Sequence, residues 1–198
     1  MIKHLSLPMV LALVLFAGAA AAQTPTRVRG TVDTLAGNVL TVTTRGGDKV
    51  SVTLADQAHV LAMAKASLGD IKAGSSVGIA SMPQADGTLR ALEVTLLKPG
   101  EPITPMNGDW DLAPSSRMTN GSVGSVVMAD GRTLTIDYGK GEQKIVVPDN
   151  VPVVTPGPGD RAMLTPGAHV VVFARKADDG ALSAGAVAVG KDGVVPPM

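Results

Sequence analysis

Apolar and polar residues alternate with a period of two along most of this chain. Val39-Leu40-Thr41-Val42-Thr43 and Thr133-Leu134-Thr135-Ile136-Asp137 show it most cleanly, and Val50-Ser51-Val52-Thr53-Leu54 repeats it. Ile145-Val146-Val147 follows it more loosely. A strand places successive side chains on opposite faces, and the stiff Val and Thr side chains suit a pleated surface, so these runs predict short strands. Glycine-bearing turns divide them: Ala36-Gly37-Asn38, Gly46-Gly47-Asp48, Ala129-Asp130-Gly131 and Gly139-Lys140-Gly141. SLGDIKAG and DRAMLTPG each predict one short helical turn, opened by Ser67 or Asp160 as cap and closed at Gly74 or Gly167. Each is followed by a strand (Val77-Gly78-Ile79, or His169 to Phe173), an Asp-Gly turn and a last strand (Leu89 to Leu97, or Leu182 to Val189).

The pattern occurs twice. Gly30 and Val32 fall on Gly121 and Val123, the second copy carries a few extra residues near Met128–Gly131, and from Asp56 onward the register holds at an offset of 93. Thus Gly74 matches Gly167, Val77 matches Val170, Asp86-Gly87 matches Asp179-Gly180, Val94 matches Val187 and Gly100 matches Gly193. The expected organisation is a signal peptide (1–22), a first β-barrel module (23–101), a Pro/Gly-rich linker (102–118), a second module (119–193) and a tail (194–198). A sheet of five or six short strands buries its apolar face and hides its edges by curling shut. The expected fold is therefore all-β: two tandem small OB-like β-barrels, each with one short helical turn. A flat sandwich is the alternative.

The first residues read differently. Lys3 and His4 precede an apolar run ending near Gly18, and Ala20 and Ala22 occupy the small-residue positions before Gln23. This is the three-part secretory signal, cleaved after Ala22, and its apolar run is shorter than the ~20 residues a membrane span needs. The product is expected in the periplasm or outside the cell. It has no Cys, which excludes disulfides, iron–sulfur clusters and thiolate zinc sites. Removing residues 1–22 takes away only Lys3 from a balance of 17 basic and 17 acidic residues, leaving net −1. That supplies no electrostatic reason to bind nucleic acid or an anionic membrane. Single-strand binding on a barrel also requires aromatic platforms, and after cleavage only Trp110, Tyr138 and Phe173 remain.

The spacing G-x-V-x-x-L, LTV, V-x-V, L-x-D-I-K-x-G-x-x-V and DG-x-L-x-A-x-x-V resembles a family of bacterial exported modules of unknown function. The resemblance covers 28–97 and, more weakly, 119–189, and it implies an OB-like barrel. The stretch WDLAPSSRMTN and the ending VGKDGVVPPM are similar to a set of alphaproteobacterial two-module exported proteins, some described as metal-transporter components. The resemblance brings no catalytic residues.

Candidate chemistry is sparse. Asp48, Asp86, Asp130, Asp179 and Asp192 adjoin glycines, where backbone hydrogen bonding accounts for them. Glu93 and Asp137 are expected on outer strand faces. His59 and His169 lack equivalent partners in the repeat, and no nucleophile constellation surrounds them. TPGPGD (155–160) lacks the Lys-Ser/Thr of a phosphate loop and reads as a turn. Thioether and imidazole are the soft ligands left to a Cys-free exported chain. Met106, Trp110 and Met118 are therefore the candidate copper ligands, with Met63, Met82, Met163, His59 and His169 elsewhere. The rival role for Trp110 is structural: a staple wedged against one barrel or between both, flanked by Asp109 and Asp111 pointing to water. The functional expectation is a non-enzymatic exported binding or envelope-associated scaffold with an unknown protein or small ligand as partner and no cofactor. The alternative is a periplasmic copper-binding protein.

Overall fold

The computed structural model describes residues 24–127 and 132–197. The expected signal peptide and the turn expected around Ala129-Asp130-Gly131 lie outside the described residues. The chain is all-β and contains a closed β-barrel. Its strands are β1 (Thr24–Ala36), β2 (Val39–Thr44), β3 (Lys49–Lys65), β4 (Ser76–Pro83), β5 (Leu89–Leu96), β6 (Met106–Asp109), β7 (Arg117–Val127), β8 (Arg132–Asp137), β9 (Glu142–Val147), β10 (Val153–Pro158), β11 (His169–Lys176) and β12 (Leu182–Gly190). The two helical turns expected from sequence are 3-10 turns, Leu68–Asp70 and Arg161–Met163. They are capped by the Ser67 and Asp160 side chains, which accept from the Gly69 and Ala162 amides. Gly74 and Gly167 follow with φ of 85° and 89°, a conformation that disfavours any Cβ.

Strand pairing closes two circuits. In the first, β1 pairs with β2, β2 with β3, β3 with β12 in parallel, β12 with β11, and β11 with β1. In the second, β7 pairs with β8, β8 with β9, β9 with β5 in parallel, β5 with β4, and β4 with β7. The circuits therefore do not follow the expected boundaries 23–101 and 119–193. Each takes three strands from one half of the sequence and two from the other. The apolar cores say the same: Val32, Leu40 and Val52 pack with Val172, Val187 and Leu164, whereas Ile71, Ile79 and Val94 pack with Val123, Leu134 and Ile145.

The exchange runs through β3 and β10. These strands pair antiparallel around Met63 and Pro156, with Leu61 opposite Pro158 and Lys65 opposite Val154. At an offset of 93, Leu61 corresponds to Val154 and Lys65 to Pro158, so the crossing has a local pseudo-two-fold. The docking contacts repeat across it. The Gly74 amide donates to the Val123 carbonyl, and the Val123 amide to Ser75; the Gly167 amide donates to Val32, and the Val32 amide to Ala168.

Two expectations are corrected. Residues 155–158 of TPGPGD are strand, not turn. The Ala66 amide donates to Val153 and the Gly159 amide to Val60. That phase turns the nitrogens of Pro156 and Pro158 away from β3, where a missing N–H costs no ladder bond. The linker is also not wholly irregular, because Met106–Asp109 forms β6 against β7.

Candidate functional site

The seam between the circuits is built from outward-facing strand residues. On the first circuit, Arg27 lies opposite Phe173 and Arg29 opposite Val171; Phe173 then lies opposite Ala186 and Val171 opposite Ala188. On the second, Met118, Ala80 and Glu93 form one cross-strand row, and Asn120, Gly78 and Thr95 the next. A bulge in β5 between Ala91 and Glu93 sets this phase: Ala91 and Val94 join the core, and Glu93 turns outward. The outward face is nonetheless covered. Glu93, Ala80, Val171 and Ala188 are all 0 % exposed. Met63 and Val154 from the crossing strands pack with Val171 and Ala188 in a third apolar cluster.

Glu93 is thus outward from its barrel, as expected from sequence, yet buried in the molecule. Neither carboxyl oxygen has a hydrogen bond of ordinary geometry among the described residues, though the Ala80 amide is near enough to act on it weakly. Desolvation pushes its pKa up from 4.5 to about 8, against the smaller opposing pull of the Arg29 charge and the Ala80 amide. Around neutral pH this favours the protonated carboxyl.

The connector Trp110–Leu112 closes one side of the seam. The Trp110 amide donates to the Ser116 carbonyl, while the Arg27 guanidinium lies 3.7 Å from the centroid of the half-buried indole, a cation–π distance. Trp110 thereby ties the connector that leads into β7 to Arg27 of the first circuit. Asp109 points to water as expected, with 99 % side-chain exposure. Asp111 does not: it binds Arg29 at 2.7 Å and Arg27 at 3.3 Å. Partial burial raises its pKa, but the Arg29 hydrogen bond and the two guanidinium charges outweigh that and hold it below its ordinary value. Sequence reasoning missed Arg27 and Arg29, and read Asp111 as facing water rather than the two arginines. Their only local signal was Arg-x-Arg in a strand whose alternate residues are apolar.

The candidate copper residues are arranged as follows. Met106 lies opposite Asn120 and Gly108 opposite Met118, so strand alternation puts Met106, Met118 and Trp110 on one face of the β6–β7 hairpin. Met118 is buried, its sulfur 4.0 Å from where Gly78 would carry a Cβ, and Arg27 already occupies a face of the Trp110 ring. The remaining sulfur and imidazole groups are scattered. Met63 belongs to the inter-barrel cluster, Met163 packs on the first core, Met82 lies opposite Arg90, His59 is exposed, and His169 Nδ1 sits 3.3 Å from Thr31 Oγ1.

Beside the seam lies a groove of about 1180 Å³, walled by both circuits, the connector and the C-terminal segment; Lys65, Leu68, Leu92, Leu112, Val151 and Val195 contribute to it. Leu92 is the residue extruded by the β5 bulge. The β3–β12 ladder stops at Met63 opposite Gly190. The phase of the β3–β10 pairing turns the Lys65 peptide groups toward the side that β12 has left. The groove thus combines apolar side chains with an open strand edge. No helix among the described residues is long and apolar enough to cross a membrane. Comparison of the chain with protein-family models, curated proteins and solved structures finds no match.

Proposed function

We propose that this chain is a non-enzymatic exported binding or envelope-associated scaffold, made of two OB-like barrels locked together by strand exchange, with the inter-barrel groove as its ligand seat. Numbered by their position in the repeat, with β4 and β5 as the fourth and fifth strands, both circuits run in the order first-second-third-fifth-fourth, with a parallel closure between third and fifth. That supports an OB-type reading of a five-stranded Greek-key barrel. The observation that carries the binding reading is the groove itself. At about 1180 Å³ it is at or above the upper end of ordinary ligand pockets, which run to roughly 1,000 Å³, and it lies at a junction of two barrels where such sites concentrate. The protein is proposed to act in the periplasm or beyond, after cleavage following Ala22.

Native mass spectrometry of protein recovered from the periplasm tests the reading. A bound molecule or partner polypeptide is expected on the wild type and not on Leu92→Arg, which puts a charge into the groove. A partner retained equally by both forms would place binding elsewhere. The same spectra address the second reading, a copper protein, which the shared face of Met106, Trp110 and Met118 favours. Copper adducts lost in a Met106→Leu form would support it, and their absence after Cu(I) loading would end it.

A further inference from the structure

One cation on the seam serves two carboxyl groups. Arg29 is the hydrogen-bond partner of Asp111 at 2.7 Å and the positive charge acting on Glu93. Its side chain is 11 % exposed, whereas that of Asp111 is 45 % exposed. The groups packed around Glu93 can be taken strand by strand. β1 brings Arg29, with Arg27 one pleat away, and β4 brings Ala80 and Ser81, which carry no charge. Beyond Ala80 in the same ladder row lies Met118 of β7, also uncharged, and beside Arg29 lie Val171 of β11 and, next to that, Ala188 of β12. The connector brings Asp111, held by both arginines.

We propose that Arg29 is a pH-operated latch beside the groove: it clamps Asp111 while Glu93 is neutral, and moves to Glu93 when the buried carboxylate forms, releasing the Trp110–Leu112 connector. The direction follows from solvation. An ion pair in a poorly solvated seam is far stronger than one half in water, so when both carboxyl groups are charged the deeper one gains more from the shared guanidinium. Asp111, partly hydrated, loses less by letting go. Arg27 alone then holds the connector, through Asp111 at 3.3 Å and the Trp110 ring at 3.7 Å. The release reaches the ligand seat through adjacent residues: Leu92 next to Glu93 and Leu112 next to Asp111 both line the groove. The regulatory consequence rests on the groove reading; the latch does not.

Trp110 is the only tryptophan and reports the latch without any ligand. In the mature full-length protein, its emission is expected to shift as pH rises from 6 to 9.5, with a midpoint near the Glu93 value of about 8, while the far-ultraviolet β-sheet signal stays constant. Glu93→Gln, which keeps the shape of the protonated acid, should abolish the shift. Asp111→Asn should show the alkaline emission already at pH 6. A flat wild-type profile, a transition that persists in Glu93→Gln, or one accompanied by loss of β-sheet signal would overturn the latch. Carboxyl carbon shifts of Glu93 over the same range supply a readout that needs no variant. Failure of the groove reading is separate: ligand would be indifferent to Leu92→Arg while the fluorescence transition remained.

Discussion

Glu93 shows how one residue's environment can be legible in part. Alternation places it outward from its own barrel, and the β5 bulge keeps it there. The charge that acts on it, Arg29, comes from β1, distant in sequence, so nothing nearby announces a buried acid. The consequence for stability has a definite sign. Between the ordinary carboxyl value of 4.5 and the folded value of about 8, the folded chain holds a proton that the unfolded chain has released. Stability contributed by this group is therefore full below 4.5 and falls as pH climbs toward 8, by at most about 1.4 kcal/mol per pH unit. Glu93→Gln should flatten that slope and exceed the wild type at pH 8 by on the order of 4 kcal/mol. Urea unfolding at pH 5 and pH 8 measures both; equal slopes for the two proteins would contradict the assignment. Other acids behave as their sequence context indicates. Asp86 accepts from the Thr88 amide, and its repeat equivalent Asp179 accepts from the Ala181 amide, so these carboxylates shape turns.

At the scale of elements, the runs with Val and Thr in alternation were readable directly, because propensity and pleat agree there. The far half of β3, Ala55 to Lys65, was not. Its Ala, Asp, Gln, His and Met residues have little strand preference, and they are extended because β12 and β10 pair with them. β6 is a similar case: Asn107 and Gly108 are strand only because β7 offers them an edge. The paired glycines Gly30 and Gly121 were visible as repeat positions, and packing explains them. A Cβ on either would lie 2.1 Å from a carbonyl oxygen, that of Thr43 or Asp137. Gly121→Ala should therefore force the β7–β8 pair apart at a cost of about 2 kcal/mol, read as a lowered thermal midpoint. A change within experimental error would mean the strands part more easily than their pairing implies.

For the whole molecule, strand exchange makes the two halves of the chain interdependent. A fragment of residues 24–101 holds β1, β2 and β3 without the strands that close their circuit, and β4 and β5 without theirs. It is not expected to fold as a monomer. Circular dichroism with light scattering should find it either unfolded or dimeric, a second copy then supplying the missing strands. A folded monomeric fragment would contradict the exchanged arrangement.

Periodicity, turn chemistry and the offset of 93 were enough to establish an all-β chain with a duplicated pattern, since those signals act over a few residues and each strand carries its own. Which copy's last two strands complete which barrel is not written in any local signal. Both copies present nearly interchangeable apolar residues at the closing positions, Ile71 for Leu164 and Val94 for Val187. The choice falls to the direction in which β3 and β10 continue, and to their mutual pairing around Met63 and Pro156. The seam, the buried Glu93 and the groove all follow from that long-range choice.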